Sequence, residues 1–170
     1  MANNSLLSLK TKEKSELKNI SLKEVIDTAV ELSQVYLEGK NIEFQVENNG
    51  DFDVIGDEEK LVAVIINLVK NAVEAFGIIE GLEDDNALKN GKYIKIKTEK
   101  DENSALVMVS NNAPGISEPE KIFNEGFTTK STGSGLGLWI CKKSIEEQMG
   151  ELELSRSTED YTEFTIRLGV

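Results

Sequence analysis

Residues 127–141 read FTTKSTGSGLGLWIC. Thr128, Thr129, Lys130, Ser131 and Thr132 stand just before Gly133, Gly135 and Gly137, and the chain then passes without a break into an apolar run of helical character. That order suits a loop that grips phosphate. Glycines let backbone amides approach an anion closely, and the first turn of a following helix offers unpaired N–H groups and the positive end of its dipole. Hydroxyls and one lysine add donors. The loop fits neither common phosphate pattern. A Walker loop needs Gly-Lys-Ser/Thr at its end, whereas Lys130 precedes the glycines, and a dinucleotide fingerprint would need glycine at position 140, which is Ile140. On local pattern alone a flexible hinge stays open beside the phosphate loop.

Working outward, the next motif upstream is 109–116, VSNNAPGI, which follows the near-continuous apolar run Ala105–Val109. Such a run suits a central strand, and Asn111, Asn112, Pro114 and Gly115 are strong turn formers at its end, where α/β proteins commonly place ligand contacts. A plain turn is the competing reading. Between the two motifs, Glu118–Gly126 is acidic, with Ile122 and Phe123 as its only apolar anchors, and reads as a mobile lid.

Further upstream, Asp57 can cap a helix whose buried stripe is Leu61, Val64, Ile65, Leu68, Val69, Ala72 and Phe76. Asn67, Asn71 and Glu74 fall at i, i+4 and i+7 on one face of that helix, with Lys70 beside them. A solvated face is one reading. Against it, asparagine is a poor helix former, and two of them one turn apart call for a compensating role.

The remaining elements follow from pattern. Ser21 and Glu24 form a capping box for an amphipathic helix ending near Leu37, with Gly39 as its stop. Ile42, Phe44 and Val46 alternate, and Phe52–Ile55 forms a second short strand, most simply joined to the first as a hairpin. Gly77–Gly91 reads as a surface excursion, followed by a strand on Ile94 and Ile96. The helix from about Gly135 sets Leu138, Cys141, Ile145 and Met149 on one side and stops at Gly150, with Trp139 and Cys141 expected to serve packing. Leu152 and Leu154, then Phe164, Ile166 and Leu168, give two closing strands. The expected fold class is an α/β (α+β) two-layer sandwich: a mixed, mainly antiparallel sheet covered on one face by about three helices. Residues 1–18 read as a linker or the end of a preceding helix, and 19–170 as one domain.

Composition narrows the chemistry. The 170 residues are 39% apolar and carry a net charge of −12, which argues against a broad nucleic-acid face while leaving room for a local nucleotide pocket. A single cysteine allows no internal disulfide and points to a reducing compartment. With no run of about 18 apolar residues and no secretory signal pattern, the chain is expected to be soluble and cytoplasmic. It holds no histidine, so no mechanism can use one as base, ligand or phosphate acceptor within these residues.

Taken together, the three motifs resemble the ATP-binding catalytic domain of sensor histidine kinases, of the Bergerat-type fold shared with type II topoisomerase and mismatch-repair ATPases. NLVKNAVEA (67–75) looks like the N box, VSNNAPGI the first glycine box, EGFTTK (125–130) the F box and GSGLGL (133–138) the second glycine box. The resemblance implies ATP and Mg²⁺ as cofactors, with Asn71 the Mg²⁺ ligand and Asn67, Lys70 and Asn71 at the reaction centre. It implies nucleotide contacts from these residues and Glu74, from Asn111, Ala113, Gly115 and Ile116, and from Thr128, Thr129, Lys130, Ser131, Thr132, Gly133, Ser134, Gly135, Leu136, Gly137 and Leu138. Where the ATPase relatives carry a water-activating glutamate this chain has Asn67, and an amide is no general base. Asn111 and Ala113 replace the usual aspartate and glycine of the first glycine box, so adenine selectivity is expected to differ.

The implied partners are a histidine-bearing dimerisation hairpin in the same full-length protein and a response regulator. The full-length kinase is expected to be a homodimer and this chain alone a monomer. Two alternatives stand beside this reading: a serine kinase of the anti-sigma-factor type, and a non-enzymatic nucleotide-gated interaction module.

Overall fold

The computed structural model describes residues 16–77, 91–128 and 137–170. In chain order the elements are β1 (Lys18–Ser21), α1 (Leu22–Leu37), β2 (Ile42–Asn48), β3 (Asp53–Gly56), α2 (Glu58–Gly77), β4 (Lys92–Lys100), β5 (Ser104–Asn111), α3 (Gly137–Glu147), β6 (Glu151–Thr158) and β7 (Tyr161–Gly169). A short 3-10 turn, Pro119–Lys121, lies in the segment after β5.

Five strands form one sheet in the order β2-β4-β5-β7-β6, in which only β2 and β4 run parallel. The central strand is β5, as its apolar run suggested. Ile94, Ile96, Ala105, Val107, Val109, Leu152, Ile166 and Leu168 alternate onto the covered face, where each is at most 1% exposed. Onto them α1 brings Leu22, Val25, Ile26 and Ala29, and α2 brings Leu61, Ile65, Leu68, Val69, Ala72 and Phe76. A fully buried aliphatic or aromatic side chain contributes roughly 1.5–3 kcal/mol by leaving water, so this layer contact dominates the stability. On the opposite face β2 and β4 are polar, Lys95 pairing with Glu47 and Lys97 lying 2.6 Å from Glu99 and 3.8 Å from Glu47, while β5 adds half-buried Leu106 and Met108. The outer strands β2 and β6 carry Glu43, Glu151 and Glu153 exposed.

The caps form as the sequence indicates. Ser21 Oγ accepts from the Glu24 amide at 3.2 Å, and Asp57 Oδ1 from the Lys60 amide at 3.1 Å. The second helix start has another support, since buried Gln148 accepts from the Asp57 amide at 2.8 Å and donates to Ser144 O at 3.1 Å.

Two expectations are corrected. β2 and β3 do not form a hairpin: β2 pairs in parallel with β4, setting Phe44 beside Ile94, and β3 leaves the sheet to pair antiparallel with β1. Alternation specifies which face a strand buries and not its neighbour, and β3 is drawn away because it delivers the chain to the start of α2. Met149 does not join the packed side of α3; it is 87% exposed with φ of 61°. The Met149 amide bonds Glu146 O and the Gly150 amide bonds Ile145 O, each at 3.0 Å, closing a Schellman cap with methionine at the left-handed position. Gly150 is needed for close approach, because a Cβ there would lie 2.6 Å from Arg167 O. Met149→Gly should therefore raise the unfolding free energy by about 1 kcal/mol, and Gly150→Ala should lower it by about 1–3 kcal/mol, both read by urea denaturation.

Candidate functional site

Helix α2 is held in rotation by its apolar stripe, which fixes the direction of the intervening polar residues. Asn67 meets α3: its Nδ2 donates to Gly137 O and to Cys141 Sγ, each at 3.2 Å. The end of the glycine-rich segment is thereby docked on the asparagine-bearing face. Gly137 is fitted to this contact, since a Cβ there would come within 3.2 Å of Asn67 Nδ2. Asn71 and Glu74, one and two turns further along, are half-buried and engaged with neighbours. Lys70 is exposed and reaches toward α1, its ammonium 5.8 Å from the centre of the Tyr36 ring. The structure thus brings Asn67 to the glycine segment and directs Lys70 elsewhere.

At the end of β5, Asn111 is 5% exposed and its Oδ1 accepts from the Ala113 amide at 3.0 Å, an Asx turn that shapes the loop. Asn112 ties the loop to β4, accepting from the Tyr93 amide and donating to Gly91 O, both at 2.8 Å. Ala113 is fully buried, and Ile116 packs against the core while its amide donates to Ser157 Oγ at 3.1 Å. Gly115 presses on the β6–β7 turn: its amide donates to Glu159 O at 3.1 Å, and a Cβ would meet Thr158 O at 1.8 Å. Its small size is thus required by packing, whatever else the loop binds.

Within the expected lid, Ile122 is buried and Phe123 meets Phe164 edge-on at 6.2 Å, with the Lys142 ammonium 4.6 Å over the Phe123 ring. Both expected anchors are in place. Phe127 and Leu138 pack partly buried against the core, and Thr128 is half-buried and engaged. Thr129, Lys130, Ser131, Thr132, Gly133, Ser134, Gly135 and Leu136 lie outside the described residues. A hollow of about 700 Å³ between α2 and α3 is lined in part by Asn67, Trp139 and Cys141.

Sequence reasoning assigned Cys141 to packing and missed its bond to Asn67. The thiol is 3% exposed, and burial pushes it up to about 11. Nothing in the spacing pairs positions 67 and 141; only the one-turn step from Gly137 to Cys141 places both acceptors on one side of α3.

The donor set also bears on a metal. Among the described residues no three His, Cys, Asp or Glu side chains gather to hold an ion. Amide oxygens on α2 are hard ligands of the kind that suits Mg²⁺, which takes one or two protein oxygens and completes its shell with phosphate and water.

Comparison with known proteins bears on these motifs. Residues 56–170 match the family described as histidine kinase-, DNA gyrase B-, and HSP90-like ATPase. Sporulation kinase A of Bacillus subtilis (strain 168) is 32% identical over 95% of this chain and 25% of its own length. The C4-dicarboxylate transport sensor protein DctB of Rhizobium meliloti (strain 1021) is 30% identical over 87% of this chain and 22% of its own. The chain spans a third or less of the length of such relatives. The solved catalytic domain of histidine kinase ThkA is similar at a TM-score of 0.74 and 32% identity, covering 91% of this chain and 95% of that one. ThkA in complex with the response regulator protein TrrA is similar at 0.70 and 32%, covering 90% of this chain and 41% of that one.

Three outcomes are expected. Cys141 should resist alkylation near neutral pH in the folded chain and react freely in urea. A thiol raised in the fold favours the protonated form, so its share of stability, full below about pH 9, should be lost as pH rises toward 11. Gly115→Ala should cost about 1–3 kcal/mol in urea denaturation by forcing the loop off Thr158.

Proposed function

This chain belongs to the histidine kinase-, DNA gyrase B-, and HSP90-like ATPase family as its ATP-binding domain, and on that premise we propose that it binds Mg-ATP and delivers the γ-phosphoryl to a histidine carried outside these residues. Its fold is that of a sensor-kinase catalytic domain. The observation that carries the proposal is the docking of Gly137, at the end of the glycine-rich segment, onto Asn67 of α2.

In this reading Asn71 lends its amide oxygen to Mg²⁺, which when bound offsets the charge of the phosphates. By the family resemblance Lys70 and Lys130 are the cations that would offset phosphate charge, together with backbone N–H groups from 133–137. Lys70 is directed at Tyr36. Adenine is received at Asn111, whose Oδ1 retains a second lone pair after accepting from Ala113. Asn67 supplies no base to activate water, which spares the γ-phosphoryl for the acceptor nitrogen: a P–N bond forms as the bond to the β–γ bridging oxygen breaks and ADP leaves.

The acceptor is placed outside the chain because the chain holds no histidine. The sensor proteins and kinases among its relatives support a two-component kinase, and the ThkA–TrrA complex supports a response regulator as the next acceptor; that the full-length protein is a homodimer acting on the cytoplasmic side is part of the same proposal. The serine-kinase and non-enzymatic readings draw no support from these relatives. Among the described residues no helix is long and apolar enough to cross a membrane.

Calorimetric titration with Mg-ATP tests the site. The wild-type chain should bind, and Asn71→Ala should bind at least about tenfold more weakly, the loss expected for one charge-assisted contact. With a histidine-bearing hairpin supplied in trans and γ-labelled ATP, an acid-labile label should appear on the hairpin and none on this chain. Absence of nucleotide binding, or a stable label on a partner serine, would overturn the proposal.

A further inference from the structure

We propose that Asn111 is a specificity-determining residue that opens the base subsite to 6-oxopurine nucleotides, of the hypoxanthine and guanine type, alongside adenine. The inference rests on the nucleotide-site reading above. Asn111 continues the row Ala105, Val107 and Val109 on the face of β5 that the helices cover, and it is 5% exposed. Its register partners are Ile94 on β4, fully buried, and Thr162 on β7, 4% exposed.

The orientation of this amide is set by a group that can only donate. The Ala113 N–H meets Oδ1 at 3.0 Å, and a turned amide would bring Nδ2 against that N–H, donor to donor. Nδ2 is thereby fixed at the other end of the side chain, where it has no hydrogen-bond partner among the described residues. The Thr162 hydroxyl, opposite it across the ladder, has none among them either. A donor so nearly enclosed costs free energy until an acceptor meets it, so this side chain calls for an acceptor on the ligand. Adenine offers an amino donor beside the N1 acceptor; a 6-oxopurine offers the O6 acceptor beside an N1–H donor. The amide meets the first through Oδ1 to the amino group and Nδ2 to N1, and the second, after a small sideways shift of the base, through Nδ2 to O6 and Oδ1 to N1–H. The Thr162 hydroxyl donates or accepts as either base requires. The aspartate usual at this place in the first glycine box would have acceptors only, and would face O6 oxygen to oxygen.

The test uses the full 170-residue chain and calorimetric titration with Mg-ATP and with the magnesium complex of inosine triphosphate. The two nucleotides differ only along the edge of the base that carries position 6, so whatever holds ribose and phosphates cancels in the ratio of their affinities. The wild-type chain should bind the two within about threefold of each other, less than the worth of one hydrogen bond. Asn111→Asp keeps an oxygen for the Ala113 N–H and removes the donor. That variant should bind Mg-ATP within about threefold of wild type and lose about tenfold or more in affinity for the inosine nucleotide. Its retained hold on Mg-ATP reports that the fold and the rest of the site are intact.

A wild-type chain that bound Mg-ATP and rejected the inosine nucleotide by more than about tenfold would overturn the inference while leaving the site reading intact. Equal losses on both nucleotides in the aspartate variant, or no loss on either, would do the same, since Asn111 would then make no distinction at position 6 of the base. A wild-type chain that bound neither nucleotide would overturn the site reading and this inference together.

Discussion

The rotational setting of α2 is the constraint on which the rest depends. Leu61, Ile65, Leu68, Val69 and Phe76 are each at most 1% exposed against the sheet and α1, so the helix cannot turn about its axis without withdrawing several of them. Each such withdrawal costs roughly 2–5 kcal/mol if a cavity is left behind. Asn67, Asn71 and Glu74 consequently keep their bearing along one side of the helix. The hydrophobic layer aims the polar residues, and α3 reads that aim through Asn67.

The glycines of this chain show how one residue type meets different physical demands. Gly39, at φ of 69°, ends α1 where a side chain would be strained and has nothing near its missing Cβ. Gly115 and Gly150 keep ordinary backbone angles and are needed because another strand's carbonyl lies where a Cβ would go. Gly137 does the same for a helix, admitting Asn67. The bend at the end of α3, by contrast, is made by Met149 in a conformation that glycine would adopt at lower cost.

What was legible in the sequence was what short-range physics decides. Ser21 and Asp57 cap because their side chains reach an amide three residues on, and the α2 stripe buries because its period matches the helix. The β5 run read as central because it lacks polar alternation. Strand partners were not legible, since Phe44 and Val46 would alternate identically beside β3 or β4. Gln148 was equally silent: its bond to Asp57 crosses from the end of α3 to the start of α2, and no local rule pairs them. At the site, the three motifs announced themselves by composition, whereas the Asn67–Cys141 contact depends on how two helices cross.

The glutamates on the outer strands carry a meaning beyond this one molecule. Among the described residues the far edges of β2 and β6 have no strand beside them, and each presents backbone groups that a strand from another copy could pair with. Glu43 on one and Glu151 and Glu153 on the other would bring like charges together in any such lateral stacking, on a chain already at −12. Sheet extension is thus a disfavoured route to self-association. A protein crowded in solution keeps its open edges to itself by repulsion, while the glutamates of the polar face are balanced by lysines within the same sheet.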